Sequence, residues 1–74
     1  MKINAVNVIE YIDDAVSGVT TFSQDDEGKK EAVDHFSACA KENGADEKDI
    51  LTFLEDGWYE QGTYQVFITY TYAD

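Results

Sequence analysis

The chain contains no arginine and no proline, one cysteine and one histidine, and it sets five lysines against sixteen carboxylates. Each scarcity removes a class of function. Without arginine there is no planar fork to clamp a phosphate, and a net charge of -11 repels a polyanion, so direct nucleic-acid binding is not expected. Cys39 stands alone, which rules out an internal disulfide and a multi-cysteine zinc site and fits a reducing compartment. No run reaches the roughly 18 apolar residues of a membrane span. The opening "MKINAVNVIEYIDD" has neither an unbroken apolar segment nor a small-residue cleavage site, so the expected location is cytoplasmic. There is no internal repeat, low-complexity tail or proline-rich linker.

What is present suffices for a fold. Of 74 residues, 43% are hydrophobic, and one Trp, five Tyr and four Phe supply bulk for a core. A chain this short buries only about 60% of its unfolded surface, so residues 1–74 are expected to form a single domain with a modest core.

"AVNVIEYID" (5–13) and "VTTF" (19–22) are rich in β-branched and aromatic types and predict a hairpin, with the turn in "DAVSG" and Gly18 near it or at a bulge. "SQDDEGKKEAVDHFSACAKENG" (23–44) predicts a helix, with Ser23 and Asp26 as a capping pair and Asn43-Gly44 as its stop. At 100° per residue Ala32, Val33, Phe36, Cys39 and Ala40 gather on its inner side. A second helix is expected from Glu47 to Asp56, capped by Asp46, ended by a left-handed Gly57, and burying Ile50, Leu51, Phe53 and Leu54. A strand through residues 50–55 is the alternative, because Asp56-Gly57 is also a hairpin signal. After a turn at 60–62, "TYQVFITYTY" alternates, with Tyr64, Val66, Ile68, Tyr70 and Tyr72 on one face and Phe67 on the other. The fold class is therefore α+β: a three-stranded antiparallel sheet with two helices on one face, in the order β-β-α-α-β.

Chemical signatures are weak. His35 and Cys39 have the i,i+4 spacing of a nucleophile pair but no evident oxyanion donor, and a core cysteine beside a boundary histidine is the preferred account of them. "SQDDEGKKEAVD" aligns Gly28 with the sixth position of a calcium loop, yet Ser23 and Asp34 stand where the motif needs Asp and a bidentate Glu. Tyrosines of the last strand could stack bases, but the positive groove of such platforms is missing. No catalytic residue, metal or cofactor is assigned.

Charge, by contrast, is unevenly placed. Residues 1–22, 23–44 and 45–74 carry net charges of -2, -3 and -6. "ADEKDILTFLEDGWYE" (45–60) alone holds six carboxylates, with Trp58 and Tyr59 beside them. Trp58 is expected to fold back on Phe53 and complete the helix cap. Tyr59, between Asp56 and Glu60, is the expected exposed anchor. Asp46, Glu47, Asp49, Glu55, Asp56, Tyr59 and Glu60 thus form the expected partner-binding set, with Asp25, Asp26 and Glu27 as a secondary acidic patch. The edge that joins Asp49 to Asp56 spans roughly 10 Å. A DNA strand carries a phosphate about every 3.4 Å, so mimicry would need acids from several elements.

In size, acidity, α+β pattern and lack of a catalytic constellation, the chain resembles the small acidic proteins of phages and mobile elements. That class includes anti-CRISPR proteins and DNA-mimic inhibitors such as uracil-DNA glycosylase inhibitor. The resemblance carries no motif, and no residue role crosses with it. It implies an inhibitor that occupies the basic surface of a nucleic-acid-binding defence or repair protein. A different class of function, a homodimeric assembly module joined through the edge of the last strand or through Phe67, is the alternative expectation.

Overall fold

The computed structural model describes residues 2–73; Asp74, counted above in the acidic C-terminal third, lies outside them. Strands β1 (Lys2–Ile12) and β2 (Ala15–Ser23) precede helix α1 (Asp26–Glu42). A 3-10 turn (Glu47–Asp49) leads into α2 (Ile50–Asp56), followed by β3 (Trp58–Gln61) and β4 (Tyr64–Ala73). The strands form one antiparallel sheet in the order β2-β1-β4-β3.

This corrects the expected sheet of three strands and the order β-β-α-α-β. Gly57, at φ 84°, ends α2 in the left-handed conformation, as expected, and reverses the chain. The next four residues then pair with β4, Trp58 opposite Phe67 and Tyr59 opposite Val66. Ile68 N–H donates to the Gly57 carbonyl at 2.9 Å, so the ladder begins at the cap itself. Treating Trp58 as cap and residues 60–62 as turn left nothing from which to build this strand. The extra strand also changes the surroundings of β4. The last strand is flanked by β1 along its length and by β3 from Tyr64 to Phe67, so β3 covers only the first part of the edge expected to self-associate.

The first hairpin forms as expected but turns tightly at Asp13-Asp14, whose φ angles of 53° and 65° fit a two-residue reversal. Register slips between Glu10, opposite Gly18, and Tyr11, opposite Val16, which puts the bulge beside Gly18.

Helix α1 starts from Asp25, not Ser23: the Asp25 carboxylate accepts from Gly28 N–H at 2.7 Å, while the Ser23 hydroxyl donates to the same carboxylate at 2.8 Å. Ala32, Phe36, Cys39 and Ala40 are buried as the helical spacing requires, but Val33 is exposed at the margin of that stripe. In α2, Ile50 is buried and Phe53 and Leu54 pack against the core, whereas Leu51, expected inside, is 73% exposed. The angular reason is plain. At 100° per residue Phe53, Ile50 and Leu54 span about 100° of arc, which fills the contact a short helix makes with a sheet, and Leu51 falls some 60° beyond it.

The core is Val6, Val8 and Val66 from the central strands beneath Phe36, with Ala32, Cys39, Ala40, Ile50 and Tyr59 around them. Both helices cover the same sheet face. Gly28 fixes how α1 enters: a Cβ there would overlap the Ser23 carbonyl oxygen. Gly28→Ala is therefore expected to cost about 1–3 kcal/mol in urea unfolding. Glu27→Ala, one residue away and exposed, should stay within about 0.5 kcal/mol. Equal stabilities would show that the entry is not sterically fixed.

Candidate functional site

Between α1 and the sheet lies a small polar cluster. His35 Nε2 is 3.7 Å from Cys39 Sγ and 3.4 Å from the Thr20 hydroxyl, and Tyr64 donates its hydroxyl hydrogen to Glu10 at 2.8 Å. The Cys39 thiol hydrogen bond holds the Glu10 carboxyl below its ordinary value, aided by Tyr64 and by the charge of His35 and opposed by partial burial. Burial, reinforced by Glu10, pushes the Cys39 thiol up to about 12 and raises Tyr64 as well. At neutral pH the sulfur is therefore a thiol, not the thiolate that nucleophilic chemistry uses. Among the described residues no three His, Cys, Asp or Glu side chains come together as metal ligands.

The expected partner-binding residues separate into distinct places. Asp46 caps the 3-10 turn, accepting from Lys48 N–H at 3.2 Å, and its carboxylate lies 3.8 Å from Lys48 Nζ. Glu47 pairs with Lys41 at 3.2 Å. Asp49, Glu55 and Asp56 are exposed, and none of the three forms an ion pair among the described residues. Glu60 is exposed on β3 and accepts from Gln65 Nε2 at 2.8 Å. Asp25, Asp26 and Glu27 sit at the opposite end of α1 from the 3-10 turn, roughly 25 Å along a helix of 17 residues. The two acidic groups therefore do not merge into one cluster. Asp25 is occupied as the cap, and the Gly28 N–H and Ser23 hydroxyl hold its carboxyl below the usual value.

Tyr59 and Trp58 exchange the roles expected of them. Tyr59 is only 5% exposed, its ring packs edge-on against Phe53 at 4.8 Å, and its hydroxyl donates to the Asn43 carbonyl at 3.1 Å. It is a core residue tying β3 to the end of α1, not an exposed anchor. Trp58 is 45% exposed. The cause is the strand that the helix-cap reading overlooked: successive strand residues point to opposite faces, so pairing Tyr59 with buried Val66 turns Trp58 outward beside Phe67.

The outward face of the sheet is where side chains converge. Val19, Ile9, Phe67 and Trp58 occupy one cross-strand row, each opposite the next, and Val16, Tyr11, Gln65 and Glu60 form the row beside it. Tyr11 and Phe67 meet edge-to-face at 5.5 Å. Towards Ser23 the same face becomes polar, with Thr21 donating to Asn7 at 2.9 Å and Asn7 to Thr71 at 2.8 Å. Carboxylates stand at the other margin. Asp13, Asp14 and Glu60 border a depression of about 240 Å³ floored by Gly62, Thr63 and Gln65. Asp56 and Glu60 border a notch of about 220 Å³ with Phe53, Trp58 and Tyr59. The sequence reading found Phe67, Asp56 and Glu60 but missed Ile9, Tyr11, Val16, Val19, Asp13 and Asp14. The signal was available in the two consecutive aspartates between β-rich segments, which fix the turn and with it the faces.

Comparison with family models, with curated proteins and with solved structures returns no match for the chain.

Two outcomes follow. Tyr59→Phe removes one hydrogen bond and should destabilise by about 0.5–1.5 kcal/mol, while Trp58→Phe should leave the unfolding midpoint nearly unchanged; the reverse ranking would return Tyr59 to the surface. Because the Glu10 carboxyl is lowered in the folded protein, its contribution is complete above its ordinary value of 4.5 and is lost as pH falls through the lowered one. Glu10→Gln should therefore flatten the fall in stability as pH drops below 4.5, measured by urea unfolding at each pH.

Proposed function

We propose that this chain is a non-enzymatic acidic binding protein that inhibits a basic nucleic-acid-binding protein by occupying the surface meant for nucleic acid, as anti-CRISPR and DNA-mimic inhibitors do. The observation that carries the reading is the combination at β3: Asp56 and Glu60 flank an exposed Trp58 on a molecule of net charge -11. Lysines answer Asp34, Glu47 and Asp46 elsewhere, but none lies within ion-pair distance of Asp49, Glu55, Asp56 or Glu60 among the described residues. Such an excess steers a basic partner at long range, and the aromatic surface slows its release at short range.

Affinity capture from a host lysate, followed by titration of the recovered partner at increasing salt, tests this. The expected partner is a basic nucleic-acid-binding protein whose affinity falls at least tenfold between about 50 and 200 mM salt and which loses its nucleic acid when bound. A partner of neutral charge, or an affinity indifferent to salt, refutes the reading.

A further inference from the structure

We infer that the contact face is the uncovered side of the sheet around Ile9, Phe67 and Trp58, and that the Asp56–Trp58–Glu60 notch takes an arginine side chain from an apolar-centred basic segment of the partner. This rests on the reading of the chain as a binder of basic proteins and assigns the surface and the residue it recognises.

Two features of the face set its occupant. Val19, Ile9, Phe67 and Trp58 cross four strands spaced about 4.8 Å apart, an apolar row about 14 Å long. With the row beside it, the patch is well short of the roughly 800 Å² that each partner contributes to a stable interface, so it needs further contacts around its rim. The rim is acidic at the end where Asp13, Asp14, Asp56 and Glu60 stand. A second copy would bring the same sign to that rim and another charge of -11 with it. A partner with apolar residues between basic ones satisfies both the row and the rim.

The notch specifies the basic residue. Phe53, Trp58, Tyr59 and the two acidic residues Asp56 and Glu60 line a volume of about 220 Å³. A guanidinium is planar and weakly hydrated, so it can stack on the indole while donating paired N–H groups to a carboxylate. An ammonium satisfies the charge but not the stacking. Gln65 engages one oxygen of Glu60, at 2.8 Å, and the other remains to accept.

The test titrates the full-length, isotope-labelled chain with an extended peptide alternating arginine and leucine, alongside lysine–leucine, arginine–serine and glutamate–leucine versions. Trp58 is the only tryptophan, so its fluorescence reports on the notch directly. Saturable perturbation of Trp58, with amide shifts at Ile9, Phe67 and Glu60 and an affinity order of arginine–leucine first, supports the assignment. So does a loss of about tenfold in Asp56→Asn/Glu60→Gln when Asp46→Asn/Glu47→Gln leaves binding unchanged. Binding that instead maps to Asp46–Asp49 or to the α1 N-terminus, or sedimentation showing a dimer whose interface includes Phe67, overturns the assignment while the acidic-binder reading stands. Absence of binding by every cationic peptide overturns both.

Discussion

Pairing between the first and last strands is the constraint from which the rest of the molecule follows. β1 and β4 run antiparallel from Ile12 opposite Tyr64 to Lys2 opposite Ala73. Val6, Val8 and Val66, on these two strands, are fully buried beneath Phe36. Each outer strand hangs on this pair by a tight hairpin, β2 through Asp13-Asp14 and β3 through Gly62-Thr63. The Asp13 N–H donates to the Thr63 carbonyl at 3.0 Å and ties the two turns together. Both helices come from the single stretch between β2 and β3, and both cover one face. The other face is left with whatever side chains the pleat sends there.

Those side chains account for the division of labour proposed between charge and contact. The carboxylates are spread around the molecule, from the α1 N-terminus to the 3-10 turn, and their sum acts at the range of the Debye length, about 8 Å at physiological ionic strength. The apolar row acts only on contact. No buried side-chain polar atom among the described residues lacks a partner. The interior therefore meets its own polar groups, and the unpaired carboxylates lie on the surface.

Much of this was legible in the residues. Helix α1, the left-handed Gly57 and the alternation of β4 each rest on local chemistry that tertiary packing did not override, whereas the helix expected from Glu47 opens as a 3-10 turn capped by Asp46 and α2 begins only at Ile50, without a side-chain cap. What escaped was β3. Four residues, Trp58–Gln61, give too short a window for a period of two to declare itself, and only partnership with β4 makes them a strand. Once that strand was missed, Tyr59 and Trp58 were assigned to the wrong sides, because one residue of phase decides which face a side chain meets. The acids of the candidate site were legible as residues but not as a surface. Whether Asp56 meets Glu60 or Asp46 depends on where α2 and β3 come to rest, which no local signal states. Leu51 shows the same limit: helical spacing identified the apolar residues of α2 but not how wide an arc a helix of seven residues could bury.

The central pairing also governs when the fold can exist. Its two strands are separated by the whole of the chain between them, so mean contact separation is high for so small a protein and loop closure must be met before the core repays it. During synthesis β1 and β2 can zip into a hairpin and α1 can coil, but Val6 and Val8 have no interior neighbour strand until residues 64–73 emerge. The central pair therefore forms only once both of its strands are present.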